Sequence, residues 1–303
     1  MSVPAVETEG LGRDHGSTRA LDALSLVVPA GALVGLLGPN GAGKTTTMLL
    51  LATLLAPTRG RARVFGHDTV GERRAVRGRL GLVFQEASVD GLLSVEENLV
   101  FAARLAGMNG RDGHRAVVQA LERTGLSQRA RQPARQLSGG WRRLLDITRA
   151  TLHAPDLLIL DEPTVGLDPE HRERMWALLE AERRDRGATV LFSTHYLSEA
   201  EPSDRVVMLA RGKAVADAPP RELCRSIGEE VAEIEGDGAG PLVQRLEAEA
   251  LTHSVQRTER GWRIGLAGAR ARVGELAAQA PGITRFALRP PTLEDVYFAR
   301  TGA

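Results

Sequence analysis

The chain has 303 residues, of which 43% are hydrophobic and 25% charged, and its formal net charge is +1. That length and balance suit an ordinary globular protein with one large domain, or one plus a small appendage. The near-neutral charge excludes a global pull toward nucleic acid or an anionic membrane. The single cysteine, Cys224, excludes an internal disulfide framework and a multi-cysteine zinc site. Residues 1–7 lack a charged-then-apolar signal pattern, and no run approaches the roughly 18 apolar residues of a membrane span. A cytoplasmic protein is expected.

Short strands and turns are predicted over residues 5–37. Leu24 to Val28 alternate loosely, Pro29-Ala30-Gly31 turns the chain, and residues 32–37 read as a buried strand. Next comes Gly38-Pro39-Asn40-Gly41-Ala42-Gly43-Lys44-Thr45-Thr46, which fits the G-x-x-x-x-G-K-[ST] phosphate-binding loop. A helix over residues 44–56 is expected to follow, stopped by Pro57. Strand, glycine loop and helix are what the chemistry needs. The glycines let backbone N–H groups surround an anion, and the helix N-terminus adds its dipole. Lys44 would reach the outer phosphates of a nucleotide and the Thr45 hydroxyl would hold Mg²⁺. Lys44 and Lys213 are the only lysines among 39 basic residues. A chain that uses arginine almost everywhere places at 44 the compact ammonium that fits inside such a loop.

Residues 63–66 read as a short strand and turn, and residues 79–84 as a buried strand ending at Gln85. From Leu92 to Gln136 the pattern turns helical. Ser94-Val95-Glu96-Glu97 is a capping box whose helix closes at Gly107, and a second helix spans residues 112–124 and ends at Gly125. Leu137-Ser138-Gly139-Gly140-Trp141 opens a third helix that reaches about His153. Leu157 to Leu160 form an apolar strand ending at Asp161-Glu162. Asp168 caps a helix that has Pro169 first and stops at Gly187. Residues 188–193 form a strand ending at Thr194-His195, and residues 205–209 and 214–216 form a strand pair. Beyond about residue 222, a glycine-rich loop over residues 235–241 precedes a helix (242–250), a strand (262–266) and a helix (273–279). Parallel sheets place ligand sites at the carboxyl ends of their strands, so Gln85, Asp161-Glu162 and His195 can converge on one nucleotide beside the phosphate loop.

Taken in order, GPNGAGKTT (38–46), Gln85, LSGGW (137–141), LLILDEP (157–163), GLD (166–168) and His195 resemble the ATP-binding subunits of ABC transporters. The resemblance covers about residues 5–223. It implies an α/β fold with a mixed sheet core, an antiparallel β subdomain, an inserted helical subdomain at about residues 92–153, and a small C-terminal α+β appendage. The nucleotide-binding domain would occupy residues 1–222 and the accessory domain residues 223–303. It further implies a Mg²⁺-dependent ATPase. Asp161 would order the metal with Thr45 and Gln85, Glu162 would be the general base, and His195 would contact the γ-phosphate and hold the attacking water with Glu162. Ser138, Gly139 and Gly140, at a helix N-terminus, form a second anion site that faces the ATP of another copy in a head-to-tail homodimer, with Asp168 at the seam.

Two residues depart from the family pattern. Trp141 stands where Gln or Met is usual. His15 stands where an aromatic, often Tyr, stacks on adenine; an imidazole buries less area there. The tail, residues 289–298 with Thr301-Gly302, resembles that of the drug-resistance and nodulation exporter ATPases. Those pair with a separately encoded ABC-2 type membrane protein, so a position on the inner face of the cell membrane is expected, with residues 80–93 toward the partner. A soluble ABC ATPase acting on nucleic acid or ribosomes is the alternative; one cysteine, no heptads and a single ATPase half argue against it. A phosphate-loop kinase leaves LSGG and His195 without a role. No nucleic-acid partner is expected, and the cargo is not legible.

Overall fold

The computed structural model describes residues 3–268 and 270–301. Met1, Ser2 and Gly302, which figure in the readings of the two ends above, lie outside the described residues. The chain divides into two compact units. The first runs to His195 and includes Leu209–Ala214; the second comprises Tyr196–Met208 and the chain from Val215 onward. Segments 196–208 and 215–222 thus cluster with the chain beyond residue 222 in the second unit.

The first unit opens with β1 (Val6–His15) and β2 (Thr18–Val28), followed by β3 (Leu33–Leu37) and α1 (Lys44–Leu51). After β4 (Arg59–Val64), β5 (His67–Asp68) and α2 (Arg73–Gly78) comes β6 (Leu80–Val83). Three helices follow, α3 (Val95–Leu105), α4 (Gly110–Thr124) and α5 (Gly139–Thr151). The unit continues through β7 (Leu157–Leu160), α6 (Pro169–Arg186) and β8 (Thr189–Thr194). Strands β3, β8, β7 and β6 lie side by side, with β3–β8, β8–β7 and β7–β6 all parallel. Every residue of β3, β7 and β8 is buried, as strands covered on both faces require. The antiparallel sheet has the order β2-β1-β4-β5. The loose alternation of β2 has a local cause: Ala23 sits at φ 54, after which Leu24, Leu26 and Val28 point inward.

The helices α3, α4 and α5 share a core that includes Val95, Leu99, Val117, Leu121 and Leu145. The Ser94 capping box is complete, with Glu97 N–H donating to Ser94 Oγ and Ser94 N–H to Glu97 Oε2. The helix after the phosphate loop is shorter than expected. It ends at Leu51, because Thr53 turns to φ 61 and its hydroxyl accepts from Arg77 Nε at 2.7 Å. The pattern of Pro57 alone put the end several residues later.

The hairpin of β9 (Arg205–Ala210) and β10 (Lys213–Ala218) is divided between the units. The second unit then builds α7 (Pro220–Arg225), β11 (Glu230–Glu235), α8 (Ala239–Ala248), β12 (Thr252–Arg257), β13 (Gly261–Leu266), α9 (Arg270–Gln279), β14 (Arg285–Arg289) and α10 (Leu293–Thr301). Its sheet is antiparallel, in the order β12-β13-β11-β14. Helices α8 and α9 give Leu242, Leu246, Val273 and Leu276 to one core with Ala232, Ile234, Ile264 and Leu266 of the sheet. Strands β11 and β14 and helix α10 escape the sequence pattern because charged positions on them carry ion pairs rather than solvated side chains. Arg289 holds Asp295 through two bonds of 2.6 and 2.8 Å and reaches Glu233 at 2.9 Å. Thr292 donates to the same carboxylate from its N–H and its hydroxyl.

Burial pushes the Asp295 carboxyl up, but the bonds from Arg289 and Thr292 outweigh it and hold the group below its usual value. A carboxylate lowered on folding stabilises above its unfolded pKa and stops doing so as pH falls through the folded one. Asp295→Asn is thus expected to cost about 2 kcal/mol at pH 7, seen as faster amide exchange across α10. The gap from the parent chain should begin to close below about pH 4, near the unfolded value, and vanish once pH has fallen through the lower folded one. A gap independent of pH would contradict the role of that charge.

Candidate ATP site

Three strand ends build the site. The loop after β3 needs its glycines: Gly38 has φ 154, and a Cβ there would stand 2.4 Å from the Leu209 carbonyl oxygen. Gly43 has φ 106, and a Cβ there would meet the Ala20 carbonyl at 2.8 Å. Lys44, only 5% exposed, donates to the Gly38 carbonyl at 2.7 Å and the Pro39 carbonyl at 3.2 Å. Its ammonium is 3.6 Å from Glu162 Oε1. The Thr45 hydroxyl, one residue on, donates to Asp161 Oδ2 at 2.8 Å.

Asp161 and Glu162 follow β7 and are both buried. The backbone separates their tasks. Glu162 sits at φ 44, a left-handed conformation rare outside glycine, so the side chains of two neighbours leave the strand in different directions. Asp161 faces Thr45. Glu162 faces His195, whose Nδ1 is 3.1 Å from Glu162 Oε2. Ser193, the penultimate residue of β8, ties the pair together. Its hydroxyl donates to Asp161 Oδ1 at 2.5 Å and accepts from the Glu162 N–H at 2.9 Å. Lys44, Thr45, Asp161, Glu162 and His195, all expected at the site, thus meet in one cluster, with Ser193 added. Gln85, two residues past β6, is exposed and joins through its backbone, whose carbonyl accepts from Arg143 at 3.3 Å.

Ser138, Gly139, Gly140 and Asp168 gather in a second cluster. Ser138 caps α5, and Asp168 caps α6 by accepting from the His171 N–H at 2.9 Å. The His171 ring lies against Gly140, where a Cβ would be 2.3 Å from it, and its Nδ1 is 2.8 Å from Asp168 Oδ2. The bonds from His171 hold the Asp168 carboxyl below its usual value. Trp141 packs edge-on to His171 at 5.1 Å and carries Arg129 over its ring at 4.0 Å. The unusual signature residue is therefore a packing anchor that leaves Ser138 and the glycines in place. His15 is exposed at the tip of the β1–β2 hairpin, paired in register with Thr18, and belongs to neither cluster.

A family model described as ABC transporter matches residues 21–165. The chain is 40% identical to the daunorubicin/doxorubicin resistance ATP-binding protein DrrA of Streptomyces peucetius, over 98% of this chain and 92% of that one. It is 34% identical to the Nod factor export ATP-binding protein I of Ralstonia nicotianae, over 99% and 95%. The chain belongs to the ATP-binding proteins of ABC transporters. It is an ABC ATPase subunit, and its fold agrees with solved cassettes. The cbiO1 protein of Clostridium perfringens, part of the transporter complex cbiONQ, superposes with a TM-score of 0.68 at 26% identity, over 73% of this chain and 91% of that one. A dimeric cassette in a post-hydrolysis state, bound to ADP and Pi, gives 0.65 at 26% identity, over 71% and 98%. Among the described residues of this ABC ATPase no helix is long and apolar enough to cross a membrane.

Ser193, Arg143 and His171 were not singled out by sequence motifs. Only Ser193 had a signal, its place in the Ser-Thr-His run after an apolar strand. Ser193→Ala is expected to lower ATP turnover about tenfold, because it frees a buried Glu162 N–H and releases Asp161. Turnover within twofold of the parent, in a steady-state phosphate-release assay, would contradict that role.

Proposed function

We propose that the chain is the motor of an exporter: two copies close on two ATP molecules, hydrolysis reopens them, and a separately encoded ABC-2 type membrane partner converts the movement into transport. Full-length similarity to two ATP-binding proteins named for drug resistance and for Nod factor export supports export. The cassette would be carried by residues 1–222 and the accessory domain by residues 223–303. The site would face the cytoplasm, with residues 80–93 toward the membrane partner; Phe84 and Leu92 are exposed there.

The observation that carries the reading is the division of labour between Asp161 and Glu162. Thr45 and Asp161 present two hard oxygens 2.8 Å apart, a donor set that fits Mg²⁺ with phosphate and water oxygens completing its shell. When bound, that ion supplies charge to neutralise the phosphates. Gln85, at the neighbouring strand end, would sense it. Gly38 to Thr46 would hold the phosphates by backbone N–H groups and Lys44. Glu162 would take the proton of the attacking water, and His195 would orient that carboxylate and meet the γ-phosphate. His15 would lie against the adenine. Its strand partner β2 runs past the phosphate loop at Ala20, within a Cβ's reach of Gly43.

A second copy would complete each pocket. In one chain the Ser138 hydroxyl accepts from its own helix, at the Trp141 N–H, leaving the N-terminus of α5 for a partner's nucleotide and Asp168 for the seam. Two of the solved cassettes are described as dimeric. Glu162→Gln is expected to retain ATP, to remain dimeric in light scattering, and to turn over about 100-fold more slowly. His15→Tyr in that background should tighten nucleotide binding. Parent-like turnover in Glu162→Gln would remove Glu162 from the chemistry, and unchanged or weaker affinity would remove His15 from the adenine.

A further inference from the structure

We propose that Arg143, on the signature helix α5, is a positioning residue that couples the segment after β6 to Glu162. This rests on Glu162 being the general base. Arg143 is only 5% exposed, and the hydrogen bonds of its guanidinium go to backbone carbonyls of two separate segments. From one side Nη1 donates to the carbonyls of Phe84 and Gln85. From the other, Nη2 donates to the carbonyls of Asp161 at 3.0 Å and Glu162 at 3.2 Å, and Nε to that of Pro163 at 3.0 Å. One planar group thus spans the peptide of Gln85 and the peptides around Glu162.

Backbone carbonyls, rather than a carboxylate, satisfy this buried guanidinium. Its nearest carboxylate oxygen, Asp146 Oδ2, is 3.9 Å away, and burial pulls the guanidinium below its usual value. The arrangement buries a charge to grip carbonyls. The carbonyls of residues 161–163 flank a strained position, since Glu162 is at φ 44 and such conformations persist when their surroundings over-determine them. Ser193 grips that turn by its N–H; Arg143 grips it by its carbonyls. The grip extends toward the far end of the same segment. Asp146, on the same face of α5, accepts from the Ser88 hydroxyl at 2.9 Å and the Ser88 N–H at 3.3 Å. A displacement of residues 84–88 therefore shifts the plane that fixes the Glu162 peptide, and turnover responds without a change in the phosphate loop.

The test separates turnover from binding. Arg143→Lys keeps the charge but loses the fork, because an ammonium offers its donors from one point. Steady-state ATPase is expected to fall about tenfold or more, with affinity for AMP-PNP within about twofold of the parent. Turnover within twofold of the parent, or turnover and affinity falling together, overturns the proposal. Ser88 is exposed, so Ser88→Ala keeps the decision open if the lysine variant does not fold. It should lower turnover about threefold at unchanged affinity, and unchanged turnover would overturn the proposal. Glu162→Gln is run alongside. If it turns over normally, the general-base reading fails. If it is inactive while Arg143→Lys and Ser88→Ala are both normal, only the coupling fails.

Discussion

The hydrogen-bonded link from Thr45 through Asp161 and Ser193 to Glu162 is what the rest of the site depends on. It joins the segments that follow β3 and β7 to the end of β8, with three side chains and one backbone N–H. Because β7 and β8 run in parallel register, with Leu160 opposite Phe192, Ser193 arrives beside the carboxylate pair. The left-handed turn at Glu162 then sends the second carboxylate away from the first. Two adjacent acids left on an extended strand would also point apart, but to opposite faces of the sheet; here both stay at its edge.

The phosphate loop, the strand ends and the helix caps were legible in the sequence because each is a local rule. The Ser94 capping box, Asp168 with Pro169, and Gly125 and Gly187 just past their helices were read from a few neighbouring residues, and the structure has them all. What was not legible depends on distant partners. Arg143 carries no motif of its own, and its carbonyl partners come from residues 84–85 and 161–163. The C-terminal strands were missed for a related reason. Glu233, Arg285 and Arg289 break the apolar pattern of β11 and β14, and ion pairs join them to one another and to α10.

The same contrast applies to Trp141 and His15. Trp141 departs from the family pattern, yet it is held between Arg129 and Arg174 and against His171, which itself rests on Gly140. The substitution is absorbed by neighbours that match it. His15 has no such neighbours in the described contacts, and its place at a hairpin tip follows from the register of β1 and β2 alone.

The central claim is that Asp161 serves the metal and Glu162 serves the water. The most direct measurement is a Mg²⁺ titration of nucleotide affinity in Asp161→Asn and Glu162→Gln, in parallel with the parent chain. Asp161→Asn should raise the Mg²⁺ concentration needed for half-maximal affinity about tenfold or more, from the loss of a charged oxygen ligand, while Glu162→Gln leaves it unchanged. Equal shifts in the two variants would contradict the division.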